Sequence, residues 1–166
     1  MLFIFMPISV SVTHIIMLTI YGLMNLFLDC EFNGFGGELI SLALVDEQGK
    51  YFYEVLECTK PVPWVEKNVL PFLNKPAVSF NDFQKILRQF LHSYHQIHVV
   101  ADWPEDLMHF TRCLILSAGK SMLTPPLSMQ LWQNSQYVHV DSEIPHNALS
   151  DAHALQQSYH LTFKKI

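Results

Sequence analysis

The chain has 166 residues, half of them hydrophobic and 13% aromatic, with 15 acidic against 10 basic residues and a formal net charge of -5. These figures set aside disorder and low complexity and fit a single domain with its own core. A protein that coats long nucleic acid is normally basic, so any such contact here is expected to be local: a chain end, a short oligomer or a nucleotide.

No Asp, Glu, Lys or Arg occurs from Met1 through Leu28, and the run MLFIFMPISVSVTHIIMLTIYGL is long enough to span a bilayer. It lacks the basic start and small-residue cleavage site of a signal peptide. An anchor would have to feed almost directly into a strand, with only Tyr21-Gly22 as a break. Translation from Met24 would instead open with MNLFLDCEF, a strand leading straight into two acids. The chain is therefore divided into an apolar extension, 1–23, read as a mis-assigned start in preference to an anchor, and a domain, 24–166. Cys30, Cys58 and Cys113 show no C-x-x-C spacing and read as reduced thiols of a cytoplasmic protein. No stable membrane association is expected.

Along the domain, 25–32 predicts a first strand, the glycines of 33–37 a turn, and 38–45 a second, mostly apolar strand. Asp46-Glu47-Gln48-Gly49 predicts a hairpin turn into an aromatic-rich strand over 50–56. After the break at 59–63 a short helix is expected over 64–73. Residues 81–94 carry apolar side chains at Phe83, Ile86, Leu87, Phe90 and Leu91, which is helical spacing. A fourth strand follows over 97–101, then a helix over 106–116 with Pro104 at its first turn. A proline-rich loop over 123–127 leads towards a short fifth strand at 137–140, and a closing helix starts at about Asn147, its cap after Pro145. The order βββ-α-β-α-β-α implies α/β architecture. A mixed five-stranded sheet is expected, an antiparallel meander followed by parallel strands, with helices on both faces.

Two stretches put acids where apolar residues would be expected. In Leu26-Phe27-Leu28-Asp29-Cys30-Glu31-Phe32, Asp29 and Glu31 share one strand face and Cys30 takes the other. Residues 26–28 are apolar on both faces, as in a central strand, and the glycine turn places the acids at a strand end, where clefts form. In His146-Asn147-Ala148-Leu149-Ser150-Asp151-Ala152, Asp151 falls on the edge of a helical stripe formed by Ala148, Ala152, Leu155 and Tyr159. It lies too far into the helix to cap if Asn147 does. Carboxylates buried side by side cost several kcal/mol (roughly) unless something positive neutralises them, and an oxygen-ligated divalent cation does so. His146, beside such a site, is a natural proton acceptor.

Together these residues resemble the DEDDh branch of the DnaQ-like 3′–5′ exonucleases, which have an RNase H-like fold. Asp29-Cys30-Glu31 looks like the family's D-x-E motif at the end of the first strand. His146, Ala148, Asp151 and Ala152 match H-x-A-x-x-D-A at the start of the last helix. The remaining motif, an Asp at a helix start four residues after an Asn, fits Val99-Val100-Ala101-Asp102-Trp103-Pro104-Glu105-Asp106 if Asp106 is the motif acid. Asp102 then stands where the Asn usually is and Pro104 is a second departure, so Asp102 is a rival for that place. Phe32 and the run Glu38-Leu39-Ile40-Ser41 look closest to a small bacterial exoribonuclease branch, and the likeness covers 24 to about 159.

The resemblance implies two Mg²⁺ or Mn²⁺ ions held by Asp29, Glu31, Asp106 and Asp151, with Asp29 bridging and His146 as general base. It also implies release of nucleoside 5′-monophosphates from the 3′ ends of single-stranded RNA or DNA, short oligonucleotides included. Phe32-Asn33 replaces the Thr or Ser and Gly of many relatives, so Phe32, Phe35 and Trp103 become candidates to stack on a base, with core packing as the other role open to them. A member that holds a nucleotide or RNA end without cutting it, and a membrane-tethered interaction protein, are the readings from other classes. A homodimer is the default assembly.

Overall fold

In the computed structural model, which describes residues 22–133 and 138–163, the chain runs β1 (Met24–Phe32), β2 (Leu39–Asp46), β3 (Tyr51–Val55), α1 (Pro63–Asn68), a 3₁₀ turn (Leu70–Phe72), α2 (Phe80–Leu91), β4 (Ile97–Ala101), α3 (Pro104–Cys113), β5 (Ile115–Ser117), β6 (Lys120–Ser121), β7 (Leu127–Leu131) and α4 (Ala148–Phe163). Five strands form one mixed sheet in the order β3-β2-β1-β4-β7. The β1–β2 and β2–β3 pairs are antiparallel, and β1–β4 and β4–β7 are parallel. The architecture is thus α/β, with β1 at the centre as its apolar run predicts. β5 and β6 make a separate small hairpin.

Alternation along β1 assigns the two faces. Leu26, Leu28 and Cys30 pack with Phe83, Leu87 and Leu91 of α2 and with Phe110 and Cys113 of α3. Phe27 faces the other way, with Val100, Trp132 and Leu155 of α4. On that same face Ile40, Ala43 and Val45 meet Val65 of α1 and Ala148 and Ala152 of α4. Helices therefore cover both faces. Leu26, Phe27 and Leu28 are fully buried, worth about 1.5–3 kcal/mol each.

Local signals account for most boundaries. Ser79 caps α2, its hydroxyl accepting from the Asp82 N–H at 3.1 Å. The β2–β3 hairpin turns at Gly49, at φ 86°, while Asp46 Oδ1 accepts from the N–H groups of Gln48 and Lys50. Asn147 caps α4, its Oδ1 accepting from the Ser150 N–H at 3.1 Å, and its amide also donates to the Phe72 carbonyl at 2.7 Å.

Three expectations are corrected. The helix expected over 64–73 stops at Asn68 and is followed by the 3₁₀ turn. Pro71 would meet the carbonyl four residues earlier if the α-helix continued. The helix expected over 106–116 starts at Pro104 and ends at Cys113, because Ile115–Ser117 enters the small hairpin. The fifth strand is Leu127–Leu131, not 137–140. Tyr137 lies outside the described residues, and 138–140 is not a strand. The N–H groups of Val138 and Val140 go instead to Thr162 Oγ1 and Ser158 Oγ of α4, so this segment is strapped along the helix. Residues 1–21 of the extension 1–23 also lie outside the described residues. Among those described, no helix is long and apolar enough to cross a membrane.

Candidate metal centre

The acids converge because of where β1 and β4 part. Their parallel register runs from Met24–Ile97 to Phe27–Val100. Two residues further along each segment come Asp29 and Asp102, which line one cleft with Asp151, Leu155 and Ser158 of α4. β1 continues, paired with β2 through Asp29–Ala43 and Glu31–Ser41. The chain leaves β4 instead and enters α3, whose third residue is Asp106, only 2% exposed. The register slips between Glu31 and Phe32, a bulge at the strand end that carries the second acid.

Asp151 arrives from the other side. Ala148 and Ala152 are fully buried against a cluster that includes Ala43, the partner of Asp29 in the sheet. Alanine on both surfaces lets the helix axis come close. The first helical hydrogen bond, from the Asp151 N–H to the Asn147 carbonyl at 2.9 Å, places Asp151 one turn in.

The result is two overlapping groups of three carboxylates. Oxygens of Asp29, Glu31 and Asp151 lie within 4.8 Å of one another, and so do oxygens of Asp29, Asp102 and Asp106. Asp29 belongs to both. Asp102 and Asp106 both reach Asp29.

Crowding and burial push these acids the same way. Asp29 is raised well above the usual carboxylate range, by burial first and then by the charges of Asp106, Glu31, Asp151 and Asp102. Glu31 is pushed up to about 8 by burial and by the charge and shared hydrogen bond of Asp151. Asp106 is pushed up to about 8 by burial and by the charges of Asp102 and Glu31, against an opposing hydrogen bond from the Cys30 backbone. Asp102 and Asp151 are also raised, again by burial first. Among the described residues, no lysine or arginine pairs with any of the five.

His146 sits beside this cluster, outside both groups. Its backbone is left-handed, at φ 64°, an uncommon conformation for a residue with a side chain. From there its N–H donates to Asp151 Oδ2 at 3.1 Å. Its exposed ring meets Trp64 of α1 edge-on, with centroids 4.9 Å apart.

The glycine turn forms the neighbouring wall. Asn33 ties it to the α1 approach: its amide donates to the Lys60 carbonyl at 2.9 Å, and its Oδ1 accepts from the Val62 N–H at 2.8 Å. Glu105 joins the turn to the start of α3, accepting from the Gly36 N–H at 2.9 Å and from Trp103 Nε1 at 3.1 Å. Phe35, at the tip, is 95% exposed and Trp103 is half exposed. Phe32 is different: it packs into the core and stacks on buried His109, with centroids 5.2 Å apart.

Three contributors carried no local signal. His139, on the strap along α4, lines a cleft of about 200 Å³ together with Asp29, Asp102, Ser142 and Asp151. Trp64 meets the site through His146, and Glu105 through the Gly36 N–H, both partners distant in sequence. A larger cavity of about 900 Å³ lies beyond the strap, between β3 and α4, lined by Tyr51, Lys75, Glu143 and His153. None of the five acids lines it.

Whether this donor set suits a divalent cation is tested by one atom. Asp106 Oδ2 is buried and has no hydrogen-bond partner. An all-carboxylate set with an unsatisfied buried oxygen and no basic partner fits a hard, oxygen-ligated ion. The chain is, then, an α/β domain with a five-carboxylate centre at the carboxyl ends of its two central parallel strands. No protein-family model matches the chain, and no curated protein matches it in sequence.

Proposed function

We propose that this protein is a metal-dependent 3′–5′ exonuclease with an RNase H-like fold, acting on 3′ ends of short single-stranded RNA or DNA and releasing nucleoside 5′-monophosphates. The observation that carries the reading is the pair of carboxylate groups sharing Asp29. A protein that only held a nucleotide would have no use for five acids crowded around one another, since they repel the phosphates it must bind.

Asp29, Glu31 and Asp151 would hold one cation, and Asp29 with Asp106 the other. Such ions supply Lewis acidity at a phosphoryl oxygen and make a nearby water easier to deprotonate. The chain's own residues do the rest. A ring nitrogen of His146 accepts the proton of the attacking water, which requires a neutral imidazole. The His146 N–H, bonded to Asp151, holds the base and the acid in a fixed relation. Phe35 and Trp103, exposed on either side of Glu105, offer faces on which terminal bases can stack. The net charge of -5 suits short substrates rather than long duplexes.

The test is incubation of short 3′-labelled RNA and DNA oligonucleotides with wild type and Asp29→Ala, with Mn²⁺ and with EDTA. The expected outcome is stepwise shortening by wild type in Mn²⁺ only. A shifted band without shortened products would identify a binding module instead.

A further inference from the structure

The fifth acid does not serve the helix it precedes, and the charges it meets include those of Asp151 and His139. Asp102 follows β4 just ahead of α3, where an acid commonly caps a helix. Here the cap residue is Trp103 and no side chain makes a capping hydrogen bond. Gln133 uses only the Asp102 backbone carbonyl, at 3.3 Å. No lysine or arginine among the described residues pairs with its carboxylate. What the carboxylate does have is position: it lines the cleft beside Asp29 and His139, just past the last β1–β4 pair, Phe27–Val100.

Resting on the nuclease reading above, we infer that Asp102 is itself a metal ligand, so that Asp29, Asp102 and Asp106 hold the second cation in the free protein, before any substrate phosphate arrives. Asp106, 2% exposed and with its Oδ2 unpartnered, belongs to this group: one carboxylate oxygen from each of the three acids lies within 4.8 Å of the others. Magnesium-type sites usually combine one or two carboxylates with phosphate oxygens of the substrate. A third carboxylate supplies from the protein what the phosphate would otherwise bring. Three clustered acids without a cation are strongly destabilising, and a divalent ion offsets most of their charge. The second position is therefore resident rather than recruited.

The experiment is titration of the full chain with Mn²⁺ in the absence of nucleic acid, followed by electron paramagnetic resonance of free Mn²⁺ and by calorimetry. Two ions are expected to bind wild type. Asp102→Asn, close to isosteric, should weaken one of them roughly tenfold or more and leave the other within about twofold. Glu31→Gln should weaken the opposite one. Should the amide variant fail to fold, Asp102→Ser repeats the measurement. Two ions bound with affinities indifferent to Asp102 would overturn this inference alone, as would a second ion that binds only when a nucleoside 5′-monophosphate is added. No Mn²⁺ binding by wild type would overturn it together with the nuclease reading.

Discussion

The N–H of His146 donates to the carboxylate of Asp151 at 3.1 Å, from a backbone bent into the left-handed region at φ 64°. One residue thus contributes twice: its main chain positions an acid of the centre, and its ring is the proposed base. These contributions separate by mutation. His146→Ala keeps the N–H and loses the ring, so Mn²⁺ affinity should stay close to wild type while turnover falls by roughly a hundredfold or more. Parallel calorimetry and single-turnover cleavage measure the two. Full turnover in His146→Ala across neutral pH would remove the imidazole from the mechanism. Asp151→Asn should instead lose both metal binding and activity.

The metal-free protein should become less stable as pH rises. Glu31 and Asp106 are pushed up to about 8, and Asp29, Asp102 and Asp151 are raised as well. In the unfolded chain carboxyls titrate at about 4. Between those limits the folded chain holds more protons than the unfolded one, so stability is fullest below about pH 4 for these groups and is lost as pH climbs through about 8. Thermal melts in EDTA should therefore show Tm falling from about pH 5 to about pH 8.5, with the slope reduced in Asp106→Asn. Added Mg²⁺ or Mn²⁺ replaces the protons and should restore Tm most at the alkaline end. A Tm in EDTA that rises over this range would contradict the crowding of the five acids.

Phe35 buries almost nothing, at 95% exposed, yet it stands at the tip of a turn pinned by Glu105 and Asn33. Phe35→Ala should leave Tm unchanged and raise KM for an oligonucleotide roughly tenfold, with kcat little altered. Steady-state kinetics on a short RNA reads this directly. An unchanged KM would assign base stacking elsewhere on the rim, with Trp103 the next residue to replace.

The Asn147 side chain holds the start of α4 by three bonds, accepting from the Ser150 N–H at 3.1 Å and donating to the Phe72 carbonyl at 2.7 Å and to the Tyr53 hydroxyl at 3.3 Å. Asn147→Ala should cost about 1–3 kcal/mol in urea unfolding, as a lost cap leaving a carbonyl unsatisfied. Because Asp151 lies on the same first turn, affinity for Mn²⁺ should fall with it. Stability lost with metal affinity intact would show that Asp151 is placed by the alanine contacts alone.

Much of this arrangement is written locally in the chain. Three consecutive apolar residues before Asp29 mark a central strand, and period-two alternation puts Asp29 and Glu31 on one face whatever surrounds them. Asn147 after Pro145 marks the start of α4, and Asp46 to Gly49 marks a hairpin, because caps and turns depend on residues a few positions apart. Those same rules miss β7. Leu127–Leu131 does alternate apolar Leu127, Met129 and Leu131 with polar Ser128 and Gln130, but it is a five-residue, largely exposed edge strand that directly follows the prolines, and its pairing with β4 joins segments about thirty residues apart.

What the tertiary structure alone decides is convergence. Asp102 looks like a stand-in for Asp106 until the parallel register of β1 with β4 places it beside Asp29. His139 belongs to no motif and reaches the cleft only because hydroxyls of α4 hold its segment along the helix. Side-chain periodicity reports which face a residue occupies; the distance between two faces is set by packing, here by alanines on α4 and β2. A sequence can therefore state that acids are present and which way they point, and only the folded chain brings five of them around two positions.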